Sequence, residues 1–509
     1  MKSTGGGRRR EGIRKILFRE FNQAEFVEVA NMSNTINRRQ FIRTGAAGLC
    51  ALTLGSRLQA AENKRRPNVL IITTDQQRAD VVSAVGNKWV KTPNMDSLAA
   101  NGVYFTNSYC PYPLCSPSRA ALHASRMPHE IGVDHNGMTI DPEIPISGQI
   151  FRQAGYDTGY AGKWHCPATY PTEGIPGYEV LNTTTRQGKL AQIVDEATVN
   201  AAVEFIERKH EKPFLAVVSF INPHDICLPA GETSPILEKV WNRYEPPAGA
   251  EVPPLPANFA DTQDTPEGFT RKARHEDWDE NHWRKYIYSY YRMVEDVDRQ
   301  VGQVLQALRR AGQEENTIIV FTSDHGEGLA SHRWTGKMMY YEEEAAVPLI
   351  VSFKGVTPAG RIDREHLVSA LDVLPTICDY AGVKGPAEMR GQSLRPIIEK
   401  PQQPGQEYVV SEMASGSERS FMVRTKRYKY MVFPGKAGQK LEMLFDMQAD
   451  PGEMKNLAGQ SVFTSEVERH RRLLAQWNKL TEEDKHPIKP SPKSQRSKKQ
   501  RKNSGKKQQ

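Results

Sequence analysis

The chain has 509 residues, 38% hydrophobic and 25% charged, with 38 Gly and 33 Pro; this profile excludes a collagen, a disulfide-dense mini-protein and a largely disordered chain. No run of eighteen or more apolar residues occurs, which excludes a multi-span membrane protein. The net charge of +8 belongs to the ends: residues 1–66 carry +9 and residues 485–509 carry +10, leaving −11 on the body, so the basic balance is no argument for a nucleic-acid partner.

Residues 1–66 read as a leader. Asn37-Arg38-Arg39-Gln40-Phe41-Ile42 is a twin-arginine pattern, followed by a weakly apolar run over 44–58 and by the small residues Ala60 and Ala61. It predicts export by the twin-arginine route, to the periplasm or beyond, with no transmembrane anchor. Met32 stands just ahead of the arginine pair and is the expected true start.

The body, residues 67–400, alternates strand and helix patterns. Three apolar runs, 69–74, 214–221 and 317–322, read as buried strands. They end in Asp75-Gln76, His224-Asp225 and Asp324-His325. Sites in open α/β sheets gather at the carboxyl ends of strands, so three such ends predict one shared site. Apolar residues at Ile287, Tyr291, Val294, Val297, Val301, Leu305 and Leu308 step by three and four and predict a helix buried along one stripe. Residues 228–283, rich in Pro and polar residues, predict a wall or lid of a substrate pocket. Within 401–484, short runs at 408–410, 420–424, 429–433 and 443–446 predict a small antiparallel subdomain, with a last helix over 465–480. Residues 485–509, without aromatics, predict a disordered basic tail.

Cys115-Ser116-Pro117-Ser118-Arg119 sets a small nucleophilic side chain in a tight turn, with a guanidinium four residues on. That cation can stabilise a charged nucleophile or an anionic ester. Taken singly, an Asp after a strand is more often a turn or cap residue than a ligand, and a solitary His or Lys is more often packed or solvated. Cys110, Cys166, Cys227 and Cys378 follow no metal-binding spacing and read as free thiols.

In order along the chain, these segments resemble the type I, formylglycine-dependent sulfatases of the alkaline phosphatase superfamily, over roughly residues 67–460. The resemblance rests on Pro67 through Gln76, Thr92-Pro93-Asn94-Met95-Asp96 with Gly102-Val103-Tyr104-Phe105, the Cys115 motif, Gly162-Lys163-Trp164-His165, Pro223-His224, Thr322-Ser323-Asp324-His325-Gly326, Lys337, Leu444-Phe445-Asp446 and Asp450-Pro451. It implies an alkaline-phosphatase-like α/β fold: a large, mostly parallel or mixed sheet sandwiched by helices, with a smaller C-terminal antiparallel sheet. It implies hydrolysis of sulfate monoesters, of a sulfated carbohydrate or a small organic sulfate. Cys115 would be oxidised by a formylglycine-generating enzyme to formylglycine, whose hydrated aldehyde is the nucleophile. Asp75, Gln76, residue 115, Asp324 and His325 would hold one divalent metal ion. Oxygen-dominated ligation suits Ca²⁺, while the imidazole leaves room for Mn²⁺ or Mg²⁺. Arg119, Lys163 and Lys337 would neutralise the ester. His224 or Lys337 would protonate the leaving oxygen, and His165 would take the proton that expels sulfate.

Three departures stand out. The family usually continues Leu-Thr-Gly where this chain has His123-Ala124-Ser125, which implies less efficient maturation. Gln76 stands for the commoner second Asp and His325 for Asn, as in the choline-sulfatase and phosphonate-monoester-hydrolase branch. Two alternatives therefore stay open: a formylglycine-dependent phosphodiesterase or phosphonate monoester hydrolase, and a non-catalytic sulfoglycan-binding protein in which Cys115 is not matured.

Overall fold

The computed structural model describes residues 66–489, apart from 168–173, 183–188, 229–236, 262–274, 276 and 436–437. Residues 1–65 of the expected twin-arginine leader, residues 490–509 of the expected basic tail and parts of the 228–283 excursion lie outside the described residues.

The strands of the body are β1 (Asn68–Asp75), β2 (Gly102–Phe105), β3 (Ser108–Tyr109), β4 (Asp157–Gly162), β5 (Glu179–Val180), β6 (Phe214–Pro223), β7 (Thr317–Ser323), β8 (Leu349–Ser352), β9 (Arg361–Asp363) and β10 (Val368–Ser369). Eight of them form one sheet in the order β5-β4-β6-β1-β7-β8-β2-β9. From β5 to β7 every pairing is parallel; β8 runs against both β7 and β2, and β9 is parallel to β2. The expected large, mostly parallel sheet is therefore present. The three predicted strands are all central in it, and each extends one or two residues into its polar end.

Strands buried on both faces read as continuous apolar runs, as β1 does. Leu70 and Ile72 pack in one layer with the helices Pro93–Ala100, Ala191–Glu207 and Glu280–Arg310. Val69 and Ile71 pack in the other, with Cys115–Ala124, Ser147–Gln153 and Val373–Ala381. The helix Glu280–Arg310 outruns the predicted stripe because Trp283 and Tyr286 extend its buried face and Asp279 caps it, accepting from His282 N at 2.7 Å. Among the described residues no helix is long and apolar enough to cross a membrane.

The last four strands, β11 (Tyr408–Ser415), β12 (Glu418–Thr425), β13 (Tyr428–Pro434) and β14 (Lys440–Asp446), pair consecutively and antiparallel. Period-two alternation gives this sheet two apolar faces. Met413, Met422, Met431, Phe433 and Met443 pack beside Tyr340 and Tyr341 of the body. Val410, Val423 and Leu444 pack with Val467 and Leu473 of the helix Thr464–Thr481.

Several ion pairs join the two sheets' territories, among them a buried one between His129 and Glu412. His129, just beyond the Cys115–Ala124 helix, donates its backbone N–H to Glu412 Oε1 at 2.9 Å, and its Nδ1 lies 2.6 Å from Glu412 Oε2. Burial opposes a charged imidazole, but Glu412 outweighs it and raises the His129 pKa above 6.5. Burial likewise opposes the carboxylate, yet His129 and Arg419 hold Glu412 below 4.5. A raised histidine stabilises the fold fully below its unfolded value, about pH 6.5, and that contribution is lost as pH rises through the folded value. A lowered carboxylate stabilises above its unfolded value and loses this as pH falls. Replacing His129 by Gln should therefore flatten the decline of stability above about pH 6.5, read as denaturation midpoints across a pH series. A variant with the parent's slope would contradict this assignment.

Candidate active site

The sheet order makes β4, β6, β1 and β7 adjacent, so their carboxyl ends form one platform. Asp75 closes β1 and is followed by Gln76; His224 follows β6, Asp324 and His325 follow β7, and Lys163 follows β4. Cys115 reaches this platform from another element. It is the first residue of the helix Cys115–Ala124 rather than part of a tight turn. Pro117 suits that first turn, where a missing N–H costs nothing.

The groups converge closely. Cys115 Sγ lies 3.1 Å from Lys337 Nζ, 3.3 Å from His325 Nε2 and 3.7 Å from Asp75 Oδ1. His224 Nε2 is 3.9 Å from Asp75 Oδ1, and the Cys115 thiol is close enough to His165 and His224 to act on the protonation of both. Lys163 Nζ donates to Asp75 Oδ2 at 2.5 Å. All ten residues singled out in the sequence thus lie in one site. The ligand atoms of Asp75, Cys115, Asp324 and His325 lie within 4.8 Å of one another, all buried.

Arg119 occupies the floor. Its Nε donates to Asp324 Oδ2 at 2.8 Å and its Nη2 to Asp75 Oδ2 at 3.0 Å. The remaining N–H groups go to Lys163 O, Ser219 Oγ and Thr74 O. The sequence reading set Arg119 against the ester; here its donors are spent on bracing the two carboxylates from behind. Ser219, unremarked in the sequence, serves this brace, accepting from Arg119 at 2.6 Å and donating to Lys163 O at 2.7 Å.

Electrostatics follow from burial and these cations. Burial alone would raise the Asp75 pKa, but Lys163, His224, Arg119 and Lys337 outweigh it and hold the group well below the usual carboxylate range. Asp324 is pushed up to about 6 by burial and by Asp75. His224 is pushed down to about 4 by burial and Lys337, and His165 is lowered by burial and Lys163. Both rings are therefore neutral at neutral pH. Among the described residues their Nδ1 atoms have no hydrogen-bond partner.

The donor set fits a divalent cation. His325 Nδ1 lies 2.8 Å from Gly326 O, so that nitrogen carries a proton and Nε2 is the atom turned toward the cluster. Asp75 Oδ1 also faces inward, with Lys337 Nζ no nearer than 4.0 Å. The Gln76 amide oxygen adjoins through Lys337, at 2.7 Å.

The sulfatase family model matches residues 67–383, and a model of the N-sulphoglucosamine sulphohydrolase C-terminal region matches residues 330–480. The chain belongs to the sulfatase family. It is an enzyme that hydrolyses sulfate monoesters. It is 34% identical over 464 residues to the Delta 4,5-hexuronate-2-O-sulfatase of Bacteroides thetaiotaomicron, covering 84% of this chain and 92% of that one. A solved 2-O GAG sulfatase superposes with a TM-score of 0.72 at 32% identity, covering 82% of this chain and 93% of the other. The phosphonate monoester hydrolase of Agrobacterium radiobacter, at 24% identity and a TM-score of 0.66 over 84% of this chain and 100% of its own, shares the fold alone.

In this sulfatase the His123-Ala124-Ser125 departure has a structural account. His123 is buried 2.7 Å from Ser147 Oγ and packs beside Trp164 and Tyr160. Burial and Arg119 bring its pKa down to about 3, so it serves as a neutral packing group. Ser125 caps the helix with φ 52°, in the left-handed region. That conformation costs a non-glycine residue about 1–2 kcal/mol. Its hydroxyl offsets this by donating to Leu371 O at 2.7 Å and accepting from Gly391 N at 3.2 Å.

The described parts of the 228–283 excursion reach residues that flank the site in sequence. Tyr244 of the helix Leu237–Tyr244 lies 3.4 Å from Asn222, two residues before His224. Asn258 accepts from His332 N at 3.2 Å, in the loop that leads to Lys337. Two further site residues gave no sequence signal: Cys227, 3.1 Å from Gln76 Nε2, and Glu327, which hydrogen-bonds the same amide. Among the described residues Cys110, Cys115, Cys166, Cys227 and Cys378 are all free thiols.

Proposed function

We propose that this sulfatase removes the 2-O-sulfate from a uronic acid in fragments of a sulfated glycosaminoglycan, with residue 115 as formylglycine. The observation that carries the substrate is the 34% identity to a Delta 4,5-hexuronate-2-O-sulfatase across 92% of that enzyme. Asp75, Gln76, Asp324 and His325, with an oxygen of residue 115, hold one divalent cation, and the oxygen-rich set favours Ca²⁺. When bound, that ion supplies Lewis-acid polarisation of a sulfate oxygen, and formylglycine supplies a hydrated aldehyde with two hydroxyls.

The chain's own residues do the rest. Lys337, 3.1 Å from the residue 115 side chain, neutralises charge at the nucleophile and on the sulfuryl oxygens. Lys163 does the same from the β4 end while it holds Asp75. His165, neutral and near residue 115, accepts a proton there. His224, at the neighbouring β6 end, or Lys337 holds the proton for the departing alcohol oxygen. Arg119 keeps the two carboxylates charged and apart. The 228–283 excursion walls the sugar subsite. The pattern Asn37–Ile42 supports export by the twin-arginine route, and Cys115 is matured by a formylglycine-generating enzyme.

The test is turnover by protein matured alongside such an enzyme. Unsaturated disaccharides sulfated only at the uronate 2-O position should be desulfated. Disaccharides sulfated only at the glucosamine 6-O position, and aryl phosphodiesters, should turn over at least about 100-fold more slowly in kcat/KM, or about 2.7 kcal/mol. Preference for either of the latter would overturn the assignment.

A further inference from the structure

Gln76 poses a problem that an aspartate would not. A carboxylate presents oxygen whichever way it turns, whereas an amide presents oxygen on one side and NH₂ on the other. The backbone of Gln76 is pinned: its N donates to Asp324 Oδ1 at 3.0 Å, and its O accepts from Tyr290 OH at 2.6 Å. The freedom that matters is a half-turn of the amide, which would exchange a metal-binding oxygen for an NH₂ group.

Glu327 removes that freedom. It is fully buried, between the Asp324-His325 pair and the Lys337 loop. Its Oε1 accepts from Tyr286 OH at 2.8 Å, Gly336 N at 2.5 Å and Leu329 N at 3.3 Å. Its Oε2 accepts from Gln76 Nε2. On the other side, Lys337 Nζ donates to Gln76 Oε1 at 2.7 Å. An ammonium only donates, so the amide oxygen faces Lys337 and its NH₂ group faces Glu327. Cys227 Sγ, 3.1 Å from Nε2 and 3.2 Å from Oε1, discriminates little between the two.

We propose that Glu327 is a positioning residue that fixes the Gln76 amide with its oxygen toward the metal-binding cluster. This rests on the reading that the cluster holds a divalent cation. The consequence is specific. In Glu327→Gln, the three donors Tyr286, Gly336 and Leu329 retain the new amide oxygen, which leaves its NH₂ facing Gln76. Gln76 is then caught between two donors, that NH₂ group and the Lys337 ammonium, and no single orientation of its amide satisfies both and keeps its oxygen in the site. Exchanging both residues, Gln76→Glu with Glu327→Gln, restores an oxygen at position 76 and a donor at 327 with unchanged side-chain lengths.

The experiment is calorimetric titration of the full matured chain with Ca²⁺ alone, for the parent, E327Q and the double variant Q76E/E327Q. We expect E327Q to bind Ca²⁺ about 10- to 100-fold more weakly and the double variant to return to within about threefold of the parent. E327Q binding like the parent overturns the proposal. So does a double variant as weak as E327Q, folded or not, since that would assign Glu327 to the loop through Gly336 rather than to Gln76. A parent that binds no Ca²⁺ overturns the reading of the cluster as a calcium site, and this proposal with it.

Discussion

Cys115→Ala should lower kcat for sulfate-ester hydrolysis by on the order of 10⁴-fold or more, the scale of losing a nucleophile in other hydrolases. The side chain removed is small and buried at the start of a helix. Its neighbours Lys337, His325 and Asp75 are held by other partners, so the variant should fold and keep substrate affinity within several-fold. Turnover and substrate binding, measured on the same preparation, check both halves. Appreciable retained turnover would refute residue 115 as the reacting group. Normal binding with no turnover would also show that the remaining cations suffice to hold the ester.

Arg119→Met should act on the whole site through its charge. Asp75 and Asp324 are both buried, and Arg119 is the guanidinium they share, at 3.0 and 2.8 Å. Breaking such an arrangement by removing one partner costs about 3–5 kcal/mol, because the partner charges stay buried and uncompensated. Asp75 keeps Lys163, so the larger effect falls on Asp324. Met preserves the aliphatic volume, which isolates the charge. A denaturant midpoint unchanged within error would contradict the bracing role. A loss of activity without a loss of stability would instead return Arg119 to the ester, where the sequence reading first put it.

These two predictions rest on residues that the sequence exposed unequally. Asp75, His224 and Asp324 were legible because long apolar strands end on them, and a sheet gathers strand ends by geometry. Lys163 and His165 were found only through resemblance. Their strand, Asp157–Gly162, is short and contains two glycines, so it carries little strand signal of its own. The helical start at Cys115 was hidden because Leu114 caps it without a side-chain hydrogen bond, which removes the usual polar marker. The direction of Arg119 and the role of Ser219 depend on contacts 44 to 205 residues apart, which no local pattern encodes. Glu327 is the extreme case. It lies in an irregular loop, and its partner Gln76 is 251 residues away. The antiparallel C-terminal sheet was legible for the opposite reason: its strands pair with their sequence neighbours, and each keeps a short apolar run because both faces are covered.

The most direct measurement is the mass of the tryptic peptide that contains Cys115, taken from protein produced with a formylglycine-generating enzyme and active on its substrate. The aldehyde form is about 18 Da lighter than the thiol. A peptide carrying that deficit, localised to residue 115, is the predicted result. A peptide found only as thiol in protein that nonetheless turns over sulfate esters would contradict the account.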